Sequence, residues 1–185
     1  MQSLYEAVRA GDHERVRALV AAAPTLAIFA WAMLGDAGEI AKLLASNRSL
    51  VTAVSPDGWF ALHLAAHFAQ TDAVRVLLKH GAQAGARSTN ALQNTALHAA
   101  AAGRAVEAGK LLIDHGASVN AAQHSGWVPL HAAAQNGDIE FARVLINAGA
   151  DVNARAENQQ RPLDLALTRG HQAMVDFLES HGASL

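Results

Sequence analysis

GWVPLHAAAQNGDIEFARVLINAGADVNA, residues 126–154, decides the fold. It holds a turn glycine, an Ala-rich stretch after Leu130-His131, a second glycine at 137, the apolar pair Leu145-Ile146 and a closing Gly149-Ala150. The same order recurs along the chain. Leu62-His63-Leu64-Ala65-Ala66, Leu97-His98-Ala99-Ala100-Ala101 and Leu130-His131-Ala132-Ala133-Ala134 are followed by a degenerate Leu163-Asp164-Leu165-Ala166-Leu167, with His-position spacings of 35, 33 and 33. Gly81-Ala82, Gly116-Ala117, Gly149-Ala150 and Gly182-Ala183 each lie 18 residues beyond that position, with Leu77-Leu78, Leu112-Ile113 and Leu145-Ile146 between. A self-similar period of this length is the mark of a repeat architecture.

The template extends backward when Gly11 and Gly35 are matched to Gly137 and Gly170. Tyr5 and Phe29 then fall at the His position, and Leu19-Val20 and Leu43-Leu44 at the apolar pair. The spacing from 5 to 29 is only 24, so about ten residues, the length of a β-hairpin, are missing between the first two units. The expectation is six helix pairs in one domain spanning 1–185, with units near 1–23, 24–54, 55–88, 89–122, 123–155 and 156–185 and the first hairpin absent.

Local physics supports one helix–turn–helix per unit. Ala is the best helix former, and 43 of the 185 residues are Ala. The first helix of each unit presents them as a small-residue face that lets neighbours approach. In the second helix Val74, Leu77 and Leu78 form one apolar stripe. Gly81 suits a left-handed helix stop, and Ser55-Pro56-Asp57-Gly58 and His124-Ser125-Gly126 have turn chemistry. No unit can bury its own apolar face, so stability must come from stacking. The expected class is an all-α repeat, an α-solenoid, with β-hairpin loops between units.

These residues resemble ankyrin repeats. Gly126-Trp127-Val128-Pro129-Leu130-His131 through Gly149-Ala150-Asp151-Val152-Asn153-Ala154 is the closest unit, and the likeness covers 55–185 most clearly. Phe60-Ala61 and Thr95-Ala96 depart from the family's Thr-Pro, Arg104 stands where a turn Gly is expected, and Asp164 replaces the last His. The resemblance implies a stack with a concave face of hairpin tips and first helices, used to bind proteins. It also implies that His63, His98 and His131 bond to hairpin backbone.

Composition and motifs narrow the function classes. Charged residues are 16% of the chain with a net charge of −2, too few cations for binding led by phosphate contacts, so no nucleic-acid partner is expected. The most apolar stretch, 26–34, is too short to span a bilayer, and the charged N-terminus lacks a secretory core, so a cytoplasmic monomer is expected. There are no cysteines. No nucleophile elbow, phosphate loop or dinucleotide fingerprint occurs, and the carboxylates are dispersed, so the chain reads as non-enzymatic, with no cofactor. Of ten histidines only His67 and His124 lack a repeat position; His63 and His67 share a helix face at chelating spacing, but no third ligand follows with motif spacing, so no metal is expected.

Glu179 stands where other units carry the second residue of the apolar pair, which gives the last unit a charged outer face, as a capping repeat needs. The alternative is a fragment of a longer array. An engineered consensus array is opposed by the uneven spacings. Gly103 and Gly109 read as helix-interior weak points of the fourth unit.

Trp59 and Trp127 follow turn glycines at hairpin tips, where they either face solvent on the concave side or fold back onto their own hairpins. Equivalent offsets stack in rows: Trp59, Asn94, Trp127 and Gln160 on the tips, and His67-Phe68, Ala102-Gly103, Gln135-Asn136 and Thr168-Arg169 on the first helices. Ala102-Gly103 should leave a depression between units three and five. The expected contact residues for a partner protein or peptide are Trp59, His67, Phe68, Asn94, Trp127, Gln135, Asn136, Gln160 and Arg169. The competing reading is a small ligand or metal bound in the groove near His63, His67 and Trp59. Trp31 replaces an Ala of the other units and reads as core.

Overall fold

The structure, a computed structural model, describes residues 1–184, and among them twelve α-helices form six successive pairs. The first helices of the pairs are α1 (Gln2–Arg9), α3 (Ala27–Leu34), α5 (Ala61–His67), α7 (Ala96–Ala102), α9 (Pro129–Asn136) and α11 (Pro162–Thr168). The second helices are α2 (His13–Ala22), α4 (Ala37–Ser46), α6 (Thr71–Lys79), α8 (Val106–Asp114), α10 (Ile139–Asn147) and α12 (Gln172–Ser180). Each first helix packs on the next first helix, and from α4 onward each second helix packs on the next second helix. The result is a two-layer stack.

Small side chains make the first layer possible. Ala61, Ala65, Ala66, Ala96, Ala100, Ala101, Ala133 and Ala134 are completely buried, so neighbouring backbones approach closely. Larger groups fill the seam between layers: Leu77, Leu112 and Leu145 are fully buried at the same offset of successive pairs. Their following residues, Leu78, Ile113 and Ile146, are buried or half-buried, whereas Glu179 is exposed. Trp31 is half-buried and packs against the core.

Three of the second helices, α2, α4 and α10, are started by side-chain caps. The carboxylates of Asp12, Asp36 and Asp138 accept from the backbone amides of Arg15, Glu39 and Phe141, at 2.9–3.0 Å, satisfying N–H groups that no helix bond can use. The turn inside each pair needs a left-handed residue. Gly11, Gly35, Gly137 and Gly170 supply it in four pairs, but Ala69 and Arg104 adopt it in the third and fourth, with φ of 57° and 56°. Gly103 is therefore the cap of α7 and not a helix-interior residue, contrary to the sequence expectation. Its role is close approach: a Cβ there would lie 2.0 Å from the His67 carbonyl oxygen.

No hairpin lies between the first two pairs, which are joined by a short 3-10 turn, Pro24–Leu26. The later loops are only partly hairpin-like. Antiparallel bridges join Val54 to Phe60 and Arg87 to Thr95, and among the described residues no bridge extends into a strand. Each loop is instead closed by one main-chain bond, Ser55 N–H to Trp59 O, Ser88 to Asn94, Gln123 to Trp127 and Ala156 to Gln160. The loops also hold one another. Thr89 N–H donates to Gly58 O, His124 to Leu92 and Glu157 to Ser125, at 2.9–3.0 Å.

Candidate functional site

The repeated histidines tie the first helices α5, α7 and α9 to the loop of the next pair. His63 Nε2 lies 2.8 Å from the Asn94 carbonyl, His98 Nε2 2.9 Å from that of Trp127 and His131 Nε2 3.1 Å from that of Gln160. A carbonyl only accepts, so each Nε2 carries the proton and donates. The other ring nitrogen is left to accept: His131 Nδ1 takes the Val128 amide at 3.1 Å and His98 Nδ1 the Thr95 amide at 3.3 Å. Burial pushes the pKa values of His63 and His98 down to about 4 and lowers that of His131 as well, so these rings are neutral. Asp164, at the equivalent place in the sixth pair, keeps the cap half of this role by accepting from the Arg161 amide at 2.8 Å.

With these bonds made, the carbonyl side of the row Trp59, Asn94, Trp127 and Gln160 faces its own loop and the preceding helix, and the four side chains are half-buried. The tryptophans are not free-standing. The Trp127 ring stacks on His131 at 5.5 Å and 21°, and Trp59 leans over His63 at 5.8 Å, so both fold back over the framework imidazoles. Asn136 is committed too: its Nδ2 donates to the carbonyl of Ala101 at 3.2 Å, and its own carbonyl accepts from Arg104 at 2.6 Å. The Gln135 carbonyl accepts from His171 Nε2. Arg169 and Thr168 are exposed at the far end of the stack.

Trp59, His67, Phe68 and Asn94 do converge. They line one concave pocket of about 380 Å³, together with His63, Leu64, Leu92, Ala99 and Ala102. Trp127, Gln135, Asn136, Gln160 and Arg169 stand outside it. Of the pair expected to leave a depression, Ala102 lines this cavity, whereas Gly103 packs on the His67 carbonyl outside it, and the cavity reaches from α7 past α5 to the first pair. Its remaining wall is α1, which contributes Gln2, Tyr5, Glu6 and Arg9, and the loop residue Asp57 closes the edge.

Sequence reasoning missed that wall. Gln2, Tyr5, Glu6 and Arg9 lie at i, i+3, i+4 and i+7, one helix face. The second pair carries no preceding loop, so nothing separates this face from the loop of the third pair, and the Tyr5 hydroxyl donates to Asp57 Oδ2 at 2.7 Å. Burial first, then the carboxylate, push the Tyr5 pKa up and keep the phenol protonated. The 24-residue spacing between Tyr5 and Phe29 was the signal in the sequence. Leu92 adds a half-exposed apolar edge.

Metal chemistry finds little here. His63 Nε2 is spent on Asn94, and the His67 ring meets Phe68 edge-on at 5.3 Å. Among the described residues no three His, Asp or Glu side chains stand close enough to hold an ion, and no helix is long and apolar enough to cross a membrane.

Compared with known families, the chain matches a model described as ankyrin repeats in three overlapping copies, over residues 4–123, 83–156 and 120–185.

Proposed function

Because the chain belongs to the ankyrin-repeat family, whose repeats are in general protein–protein interaction modules, we propose that it binds a partner protein or peptide on its concave face, in the pocket between α1, α5 and the loops before α5 and α7. The observation that carries this reading is the convergence of Trp59, Phe68 and Leu92 on one cavity whose size suits a side chain and its flanking backbone. Trp is enriched among residues that dominate interface energy, and apolar groups held open to water mark contact surfaces. The protein acts without catalysis, as a scaffold that presents this face.

Affinity capture with the whole chain tests the reading. Trp59→Ala and Leu92→Ser should each lower recovery of the partner, Trp59→Ala by about thirtyfold in affinity, as removal of a buried aromatic anchor does. Arg75→Ala and Arg143→Ala, on exposed positions of α6 and α10, should leave it unchanged. The reverse pattern would move the interface to the convex side. A second reading, a small molecule in the same pocket, is favoured by the cavity volume of about 380 Å³, which lies in the range of ligand sites. A thermal-shift panel of small molecules separates it from the first.

A further inference from the structure

Within the peptide-binding reading just given, on which this rests, we infer that the pocket receives a basic side chain, a lysine or arginine of the partner. The charges on its wall point that way. Glu6, Asp57 and the Arg9 guanidinium are the charged groups on it; Glu6 is paired with Arg15 of α2 at 3.7 Å, which leaves the Asp57 carboxylate as the one with no cation within ion-pair distance among the described residues. The Asp57 carboxylate is also fixed in place: Oδ2 accepts from the Tyr5 hydroxyl at 2.7 Å and Oδ1 from the Ser55 hydroxyl at 2.6 Å. Two neutral hydroxyls orient the group without cancelling its charge, and a carboxylate has acceptor sites for further donors. A charge held in position loses no side-chain entropy when a cation meets it.

The uncharged part of the lining agrees. Tyr5, Trp59 and Phe68 line the cavity with aromatic rings, whose π systems attract a cation and pack well on an aliphatic stem. Asn94 Oδ1 is a buried acceptor with no donor among the described residues. Three of the wall's own donors are committed, since the Tyr5 hydroxyl bonds Asp57, His63 Nε2 bonds Asn94 and Gln2 Nε2 bonds Glu6. At the Asp57 end the open positions are carboxylate lone pairs, and their complement is a donor group. Arg9 opposes a cation, but it is exposed on the last turn of α1, so the charged head is drawn to the Asp57 end.

Selection of random dodecapeptides displayed on phage against the whole chain tests this. Enriched peptides should share one Lys or Arg whose replacement by Met, similar in length but uncharged, weakens binding about tenfold. Asp57→Asn, which can still accept from Tyr5, should weaken the parent peptide by a like factor and leave the Met peptide unchanged; Glu6→Gln, which keeps an acceptor for Gln2 and gives up only an exposed ion pair with Arg15, gives the same test with little demand on folding. Peptides that are lost with Trp59→Ala but depend on an apolar or acidic residue instead of a basic one overturn the inference and leave the concave-face reading intact. Peptides indifferent to Trp59→Ala, or no enrichment at all, overturn both.

Discussion

The Tyr5 hydroxyl donates to the carboxylate of Asp57 across 52 residues of sequence, at 2.7 Å. Tyr5 holds the position that His63, His98 and His131 hold in later pairs, and those imidazoles each reach the loop of the next pair. The pair after α1 has no such loop, so the phenol reaches past it to the loop of the third pair. One missing hairpin thus turns an open groove into a walled pocket.

Tyr5→Phe keeps the ring and removes only this bond. Stability should fall by about 1 kcal/mol, the net worth of one hydrogen bond, and amide exchange in α1 should accelerate while that in α7 and α9 stays slow. Unchanged exchange across α1 would show that packing alone holds the first pair.

Acid should unfold the stack through its histidines. His63 and His98 have pKa values near 4 in the fold, and His131 is lowered too, against 6.5 for a free imidazole. Between these values the unfolded chain binds more protons, so stability rises with pH across that window and is lost as pH falls through it, by up to about 3 kcal/mol for each of the two most shifted rings. The urea midpoint should drop steeply from pH 7 to pH 4.5. In His98→Gln the midpoint at pH 7 is lower but the pH slope is shallower; an equal slope would remove His98 from the explanation.

Much of this fold was legible in sequence because each repeat position has one physical job. Ala at the buried face, His between cap and loop, and Gly at the helix stop recur at fixed offsets, and Gly81, Gly116, Gly149 and Gly182 all take the left-handed conformation. The pocket was half legible. Trp59, His67, Phe68 and Asn94 belong to repeat rows and were found by offset. Tyr5 and Asp57 belong to different rows, and their meeting depends on which loop is missing between them, a property of the whole stack. For a related reason the sequence left open whether Trp127 faces solvent or folds back: its partner, His131, is four residues away, but only the loop's curvature brings the two rings face to face.

Ala69 carries a cost that can be removed. It holds a left-handed φ of 57° at a turn where four other pairs use Gly, and it is exposed. Ala69→Gly should stabilise the protein by roughly 1 kcal/mol, the relief of that conformation less the entropy that Gly adds to the unfolded chain. Arg104 is a poorer target for the same change, because its guanidinium donates to the Asn136 carbonyl at 2.6 Å. A lower melting temperature for Ala69→Gly would mean that its methyl group packs usefully.

Gly109 tests whether propensity or packing governs the second helices. As the sole glycine inside α8 it reads from sequence as a weak point, and Ala would be the better helix former by about 1 kcal/mol. The neighbouring pair says otherwise. A Cβ at 109 would lie 2.6 Å from Cζ of Phe141, which is completely buried on α10 and cannot swing into solvent. The ring fills the space that the glycine leaves, so Gly109→Ala must displace either the ring or the helix. Overpacking of this kind costs about 1–3 kcal/mol, more than the propensity gain. Gly109→Ala should therefore lower the urea midpoint, and adding Phe141→Leu should recover part of the loss, because the smaller side chain makes room for the methyl group. The two substitutions should be non-additive in a double-mutant cycle, with a coupling of about 1 kcal/mol. If Gly109→Ala raised the midpoint, helix propensity would outweigh the contact between α8 and α10, and the close approach of Phe141 would have no energetic weight.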